Sequence, residues 1–594
     1  MVDIPAQSMT RAGPPGDSPG RRELIVVAAT GADLRARASG FASASGADVA
    51  PLERLLGAEG VRLTALFGSE DRLLAEAGRG DTPTPGAPPA DASEVVAEMA
   101  RFYAVEAPDD RLDQLAGRMR ALDLVETAYV KPAAALATLT AEDRAMSHEG
   151  INDMLPSPAD APPATPDFTN RQGYLDSAPG GIDARWAWTQ SGGRGGGVRV
   201  VDCEWGWRFT HEDLRLNQGG VIAGTADPSP TSNSTNHGTA VLGEISGDVN
   251  ALGITGIAPD AVISASAFSV PSATAIRAAA DRLGPGDVLL LEIHRPGPNA
   301  NGSGQFGFIA VEWWPDDYLA IRYAVDKGVV VVEAAGNGFQ DLNAAVYDRP
   351  ATGFPSWWRN PFRRDPLDSG AVLVGAGAPP PGTHGRDHGP DRSRLDYSNH
   401  GACVDAQGWG REVTTTGYGN LQGGSDVDLW YTDTFSGTSS ASPIVVGALA
   451  SVQGVLRAGR RTPLSPARAR ELLRSTGSPQ QDAPGRPATQ RIGNRPNLRQ
   501  LIPAALATSS WTGVQFRGSL AAGQTRRWFT YGWPAHWHVV WTVMPTTVRP
   551  GAPQVRWRVR TERASDARAT YWIDVTNLSN APVDFEARFA VLGW

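Results

Sequence analysis

Apolar and polar positions divide the chain into three parts with different periodicities. In the first part, residues 23–135, short apolar runs such as 23–29 alternate with stretches of helical spacing such as 109–122. These elements follow one another in the order β-α-β-β-α-β, which is typical of a ferredoxin-like α+β sandwich. The pattern therefore predicts one small domain over residues 23–135.

The second part, residues 178–505, alternates apolar strands with helical stretches. Two of its strands, 198–201 and 329–332, are almost continuously apolar, as expected for strands that are covered on both faces. Such alternation predicts an α/β domain, a doubly wound and mostly parallel sheet with helices on both sides.

The third part, residues 506–594, alternates aromatic and polar residues with a period of two. Four runs carry this pattern: 526–530, 538–543, 555–559 and 571–575. Turn signals separate the runs, which predicts a C-terminal β-sandwich. Its tryptophans belong either to the sandwich core, which we favour, or to a face that binds carbohydrate or protein.

Two further segments lack periodicity. Residues 1–22 are rich in Pro, Gly and Ser and are predicted to form a disordered leader. Residues 136–177, many of them Pro, Ala and Asp, are predicted to be a linker.

Composition narrows the class of protein. The net charge of −9 argues against a nucleic-acid partner, and two cysteines among 594 residues exclude a disulfide framework. The leader lacks the apolar core of a signal peptide, and no run approaches the roughly 18 apolar residues of a membrane span. We therefore expect a cytoplasmic protein without a membrane span; the alternative is an extracellular protein exported by an unrecognised route.

A serine at a predicted helix start is the strongest candidate for chemistry. Gly437 permits a tight turn, Ser439 follows at the N-terminus of a small apolar helix, and Pro443 is expected in its first turn. Unpaired N–H groups and the positive end of the helix dipole suit a nucleophile whose reaction develops an oxyanion. The alternative is that Ser439 is only a helix cap.

Three other residues could complete such a site. Asp202 ends an apolar strand, which places its carboxylate at the carboxyl edge of the predicted sheet. His237 is expected in the first turn of a helix, and Asn337 lies between glycines in a turn after an apolar strand. Each residue alone is more simply a structural one, and only their combination points to catalysis.

The four segments resemble the motifs of the subtilisin-like serine peptidases, the subtilase family. The matching runs are Val200-Val201-Asp202, His237-Gly238-Thr239, Ala334-Ala335-Gly336-Asn337 and Gly437-Thr438-Ser439-Ser440-Ala441-Ser442-Pro443. The resemblance implies that Ser439 is the nucleophile, His237 the general base and Asp202 the acid that orients it. It also implies that Asn337 assists the oxyanion hole, with protein or peptide as the substrate.

Two rival functions stay open at this point. Serine-carboxyl peptidases share the Gly-Thr-Ser motif but use a Glu in place of the histidine, and the intact His237-Gly238-Thr239 motif favours the subtilase resemblance. A protein that is catalytically silent or tightly autoinhibited, acting as a binder through its C-terminal sandwich, is the other alternative.

The resemblance also assigns a role to the N-terminal domain. Subtilases are made with a propeptide of ferredoxin-like fold that assists folding and inhibits the site, and residues 23–135 resemble it. We therefore expect the chain's own propeptide to be a partner. Self-cleavage is expected between about 133 and 177, favouring the first half of that range.

The family's substrate-aligning strand corresponds to an unusual run in this chain. The resemblance assigns substrate binding to six residues: Leu291, Glu292, Ile293, His294, Ala335 and Gly336. Glu292-Ile293-His294 replaces the family's small Ser-Leu-Gly run, so the side-chain preference does not follow from the family. Glu292 could favour basic substrate residues, or it could be a surface or supporting charge.

No cofactor is expected for the chemistry itself. The segment around Asp213 and the loop around Asn250 resemble one structural calcium site of some subtilases. Calcium takes six to eight oxygen ligands, and these are the two side chains that the resemblance supplies. The resemblance therefore suggests a structural calcium ion at Asp213 and Asn250, which the chemistry itself does not require.

Overall fold

The computed structural model describes residues 20–37, 40–77, 92–139, 141–146, 162–507, 511–535, 537–565 and 568–592. Nearly all of the predicted leader and the middle of the predicted linker lie outside these residues. The chain divides into two compact units. The first contains residues up to 455 together with 464–501, and the second contains 456–463 and the residues from 502 onward.

The N-terminal part of the first unit is built on a four-stranded antiparallel sheet of order β4-β5-β1-β6. Apolar side chains of this sheet pack against α1 and α4 in one core cluster. The hairpin β2–β3 and the helices α2 and α3 were not predicted. The elements are β1 Glu23–Ala28, β2 Leu34–Arg37, β3 Gly40–Ser43, α1 Ala50–Glu59, β4 Arg62–Ala65, α2 Glu70–Ala77, α3 Ala92–Met99, β5 Phe102–Glu106, α4 Leu112–Met119 and β6 Val125–Lys131.

A parallel sheet organises the rest of the first unit, and this prediction is confirmed. Its seven strands have the order β16-β15-β14-β11-β8-β10-β9, and every pair is parallel. The strands are β8 Arg199–Glu204, β9 Gln218–Ala223, β10 Val262–Ala267, β11 Val288–Leu291, β14 Val330–Ala334, β15 Val372–Gly377 and β16 Val404–Trp409. Six of them are buried over most of their length, because helices and loops cover them, whereas the residues of β9 at the edge are exposed or half-buried.

Helices and short strands surround this sheet. The helices are α5 Ala141–Met146, α6 Ala184–Ala187, α7 Asn233–Ser246, α8 Ser272–Arg282, α9 Pro315–Asp326, α10 Thr438–Ala458, α11 Pro466–Ser475 and α12 Leu498–Ala507. The short strands are β7 Ala135–Leu136, β12 Ile293–Pro296, β13 Phe308–Ala310, β17 Val413–Thr416 and β18 Tyr431–Phe435. Strands β13, β12 and β7 form a separate antiparallel sheet, which joins the N-terminal part to the larger domain.

Helix α10 is the central helix of the first unit. By length and composition alone it could cross a membrane, but its most apolar window is entirely buried within the protein, as expected of a core helix. The helix begins at Thr438, so Pro443 is its sixth residue and lies in the second turn, not in the first as predicted.

The second unit contains six antiparallel strands in two three-stranded sheets, of order β19-β24-β21 and β20-β23-β22. The strands are β19 Trp511–Leu520, β20 Thr525–Pro534, β21 Val539–Pro545, β22 Val555–Arg563, β23 Arg568–Asn577 and β24 Val583–Val591. Side chains of both sheets share one core, which includes Trp533 and Trp541. Trp557, in contrast, is 40% exposed, so the aromatic residues divide between core and surface.

Candidate active site

The predicted nucleophile and base lie at helix N-termini and are fully buried. Ser439 is the second residue of α10, and His237 is the fifth residue of α7. Helix α7 begins at Asn233 behind the cap Ser232, so His237 lies in the second turn, later than predicted. The Ser439 hydroxyl and His237 Nε2 each lack a hydrogen-bond partner within the described residues.

A glutamate makes the contact that the motif resemblance assigns to Asp202. Glu204 Oε2 lies 2.7 Å from His237 Nδ1, and both side chains are fully buried. Asp202 instead accepts a hydrogen bond of 2.7 Å from the indole N–H of Trp207. Burial lowers the pKa of His237 to about 3, so the imidazole is neutral and able to accept a proton. The sequence analysis did not predict this contact of Glu204. Its position two residues after Asp202 on one strand could have indicated it, because residues two apart on a strand face the same side of the sheet.

The backbone N–H of Ser439 donates to the carbonyl oxygen of Ala137, at 3.2 Å. An oxyanion hole would offer this donor to a scissile carbonyl. Gly437 makes the approach possible: its φ is +107°, and a Cβ there would lie 2.3 Å from the Ala137 oxygen and 2.9 Å from Thr138 Cα. The Thr138 hydroxyl donates to the Ser436 carbonyl at 3.1 Å, so the chain continues past Ser439 in close contact with the loop before α10.

Residues 135–137 lie along the predicted substrate strand as an added strand. Leu136 pairs with Ile293 and Ala135 with His294, in antiparallel register. The Ala137 N–H donates to the Glu292 carbonyl at 3.4 Å. This is β-augmentation, in which main-chain hydrogen bonds hold an extended peptide against a sheet edge.

Asn337 is buried beside this segment, with its amide already engaged. Its Oδ1 accepts from the backbone N–H and the hydroxyl of Thr438, each at 2.9 Å, and its Nδ2 donates to Gln305 Oε1 at 3.1 Å. Gln305 in turn donates from Nε2 to the Leu136 carbonyl at 2.8 Å. Gln305 is a contact that sequence reasoning missed, since it lies in a loop that matches none of the four motifs.

Glu292 and His294 are both fully buried, and burial shifts their pKa values in opposite directions. Burial, together with the charge of Glu204, raises the pKa of Glu292, and the nearby Ser439 hydroxyl opposes this only in part. His294 Nδ1 lies 3.3 Å from the Asn337 backbone N–H, from which it accepts, and burial lowers its pKa to about 3. Glu292 is therefore a buried carboxyl with a raised pKa next to the nucleophile and not an exposed charge.

The other predicted substrate-binding residues lie at the ends of neighbouring strands. Leu291 is the last residue of β11 and pairs with Glu333 in β14. The Ala335 carbonyl accepts from Asn399 Nδ2 at 2.7 Å, and Gly336 has a φ of +97°. All three residues are buried at the carboxyl ends of strands of the parallel sheet, whereas the docked segment pairs with β12 in the separate three-stranded sheet.

The geometry of Asp213 and Asn250 does not fit a calcium site. Asp213 Oδ1 accepts from the Asn250 amide and Asp213 Oδ2 from the Ile254 N–H, each at 2.6 Å, while Asn250 Oδ1 accepts from the Leu252 N–H at 2.8 Å. These oxygens are occupied by donors, and burial raises the pKa of Asp213 to about 7. No group of three or more His, Cys, Asp or Glu in the described part of the chain is arranged to hold a metal. Calcium binding stays a prediction that these contacts do not support.

The parallel sheet, the serine at a helix N-terminus and the docked peptide segment define a protein of the α/β class with a site suited to acyl transfer. Residues 294–497 match the family model described as Subtilase family. This match confirms the predicted resemblance of the chain to the subtilisin-like serine peptidases. The matched range includes Asn337 and Ser439 and begins after Asp202 and His237.

Similar proteins are named as serine proteases. Subtilisin E of Bacillus subtilis (strain 168) is 26% identical over 301 residues, which cover 47% of this chain and 62% of that protein. The intracellular serine protease of Paenibacillus polymyxa is 27% identical over 47% of this chain and 72% of its own length. The Aeromonas extracellular serine protease of Aeromonas sobria is 28% identical over 46% and 48%. The chain therefore spans less than two thirds of the subtilisin it matches.

Proposed function

We propose that this protein is a serine endopeptidase that processes its own precursor. The observation that carries the proposal is the hydrogen bond from the Ser439 N–H to the Ala137 carbonyl, at 3.2 Å. The chain's own residues 135–138 thereby lie as a peptide substrate would, with one carbonyl at the nucleophile. The match of residues 294–497 to the subtilase family model supports peptide-bond hydrolysis as the reaction.

The first half-reaction would form an acyl-enzyme. The Ser439 Oγ attacks the carbonyl carbon of a substrate residue placed like Ala137, and the Oγ proton passes to His237 Nε2. The oxyanion that forms accepts from the Ser439 N–H. When the peptide C–N bond breaks, His237 returns the proton to the leaving amine, which in self-processing is the nitrogen of Thr138.

The second half-reaction would hydrolyse the ester. A water molecule gives a proton to His237 Nε2 and attacks the acyl carbon, and Ser439 recovers its proton as the ester bond breaks. A buried carboxylate at His237 Nδ1 holds the imidazole in one tautomer through both halves. No metal or cofactor enters this sequence of steps.

The proposed processing bond is Ala137–Thr138. It lies in the early part of the range expected from the sequence, and residues 23–137 would then be the propeptide. After cleavage, the pairing of β7 with β12 would keep the propeptide in the site. The cleaved protein would then stay inhibited until the propeptide is removed.

Mass spectrometry of the purified chain tests this proposal. Wild-type protein is expected to yield a fragment that begins at Thr138, whereas Ser439→Ala stays full length, because loss of the nucleophile costs on the order of a millionfold in rate. Ser440→Ala is a control for the loss of a hydroxyl in the same helix turn. A fragment beginning at Thr138 in a clean Ser439→Ala preparation would refute the assignment.

A fluorophosphonate probe distinguishes the two rival functions. Labelling of Ser439 after propeptide removal supports the peptidase, while an unlabelled, correctly folded protein indicates the binding protein that the sequence left open. An activity optimum in strong acid would favour the serine-carboxyl mechanism. That outcome would give the buried Glu292 beside Ser439 the role that His237 has here.

A further inference from the structure

Glu204 determines which nitrogen of His237 carries the proton. Its Oε2 lies 2.7 Å from His237 Nδ1. An ionised carboxylate can only accept, which places the proton of a neutral imidazole on Nδ1. His237 Nε2 then keeps its lone pair, and within the described residues no hydrogen bond occupies it. This is the tautomer that a general base needs towards Ser439.

Asp202 is engaged with a different partner. It lies two residues before Glu204 on β8 and faces the same side of the strand. Its Oδ2 is held by the Trp207 indole at 2.7 Å, while the longer Glu204 side chain reaches His237.

The two carboxyl groups interact with one another. Burial raises the pKa of both carboxyls; the charge of Glu204 raises the pKa of Asp202 further, whereas the proximity of Asp202 offsets part of the effect of burial on Glu204. Two adjacent buried carboxyls cannot both be charged without a large cost, and Glu204 is the one of the two whose oxygen faces His237 Nδ1, at 2.7 Å.

We propose that Glu204, rather than Asp202, is the positioning residue that orients His237. The inference rests on the proposed peptidase function. Glu204 does not touch the substrate; it fixes the plane and tautomer of the imidazole and stabilises the imidazolium that forms when Ser439 loses its proton. Asp202 acts on His237 only indirectly, as the neighbour of Glu204 and the hydrogen-bond partner of Trp207.

Kinetics of three variants test the assignment on the mature enzyme with a peptide substrate. Glu204→Gln is expected to lower kcat on the order of 10⁴-fold with little change in KM, because the amide favours the wrong tautomer. Glu204→Asp retains the charge and is expected to recover part of this loss. Asp202→Asn is expected to lose clearly less than Glu204→Gln. The reverse order, with Asp202→Asn the more damaging change, would overturn the proposal.

A second measurement does not depend on turnover. In full-length Ser439→Ala protein, the His237 Nδ1 proton in its short hydrogen bond is expected as a far-downfield signal in proton NMR. Adding Glu204→Gln should remove or strongly shift this signal, and adding Asp202→Asn should leave it in place. If the signal survives Glu204→Gln, the proposal is wrong even where the enzyme is active.

The two measurements separate the failure of this inference from failure of the proposed function. If wild-type protein hydrolyses nothing, the peptidase proposal fails and the NMR comparison still decides which carboxylate holds His237. If Glu204→Gln does not fold, the Asp202→Asn spectrum decides alone: a retained signal supports Glu204, and a lost signal overturns it.

Discussion

Ala137 lies where the docked segment meets the helix that carries Ser439. Its side chain is fully buried, and its carbonyl accepts from the Ser439 N–H. The neighbouring residues 133–136 are also buried, and four of the five residues 133–137 are alanine. A site closed around such small side chains is expected to select a small residue on the acyl side of the cut bond.

Ala137→Phe is therefore expected to slow self-cleavage at least about a hundredfold, since several extra methylene-sized groups must enter a closed pocket. The measurement is the fraction of full-length protein over time, read by gel and mass spectrometry. Glu142→Phe adds the same side chain at an exposed position nearby and should process at the wild-type rate. Rapid cleavage of Ala137→Phe after residue 137 would contradict the predicted small-residue preference.

Strand β6 and helix α9 share a largely buried ion cluster at the contact between the N-terminal part and the larger domain. Lys131 Nζ pairs with Asp316 and Asp317 of α9 and, at 3.1 Å, with Glu23. Arg295 of β12 pairs with Glu23 at 2.6 Å. These groups satisfy one another away from water, so removal of one cation would leave buried carboxylates uncompensated.

Lys131→Met is expected to lower the free energy of unfolding by about 3–5 kcal/mol, because two buried aspartates lose their main partner. Denaturant unfolding of the uncleaved Ser439→Ala protein measures this loss. Arg22→Met removes a partly exposed ion pair with Asp109 and Asp113 in the same domain, and should cost no more than about 1 kcal/mol. Equal losses for the two variants would show that burial of the cluster contributes nothing.

At the scale of the whole molecule, the chain has two units with separate hydrophobic cores. In the second unit, Trp533 is 7% exposed and packs against Trp541 and Phe589 at ring-centroid distances of 5.3 and 5.2 Å. Its indole N–H donates to the Thr530 hydroxyl at 2.9 Å. The proposed active site lies entirely within the first unit.

Trp533→Ala is expected to destabilise the second unit by about 3–5 kcal/mol, through the cavity left in its core, without changing peptide hydrolysis. Thermal unfolding followed at two wavelengths, together with an activity assay, checks both parts. Trp557→Ala, at a 40% exposed position, should stay within about 0.5 kcal/mol of wild type. A parallel loss of activity in Trp533→Ala would mean that the peptidase depends on the C-terminal unit.

The amino-acid pattern alone determined the parallel sheet, four of the six strands of the second unit, the position of Ser439 at a helix start and that of Asn337 in a turn, whereas β19, β24 and the place of His237 in the second turn of α7 were not predicted. The predicted features depend on local periodicity and on motifs a few residues long, so they can be predicted without knowing which distant parts of the chain are in contact. The hairpin β2–β3 and the helices α2 and α3 were missed, since short elements give weak periodic signals.

Only the tertiary structure decided which carboxylate reaches His237 and which peptide bond meets Ser439. Asp202 and Glu204 project from the same face of β8, so the strand pattern cannot choose between them. The choice depends on side-chain length, on the position of α7 and on the indole of Trp207. In the same way, the register of Leu136 on Ile293 joins segments that are far apart in sequence, and no local pattern of residues encodes that pairing.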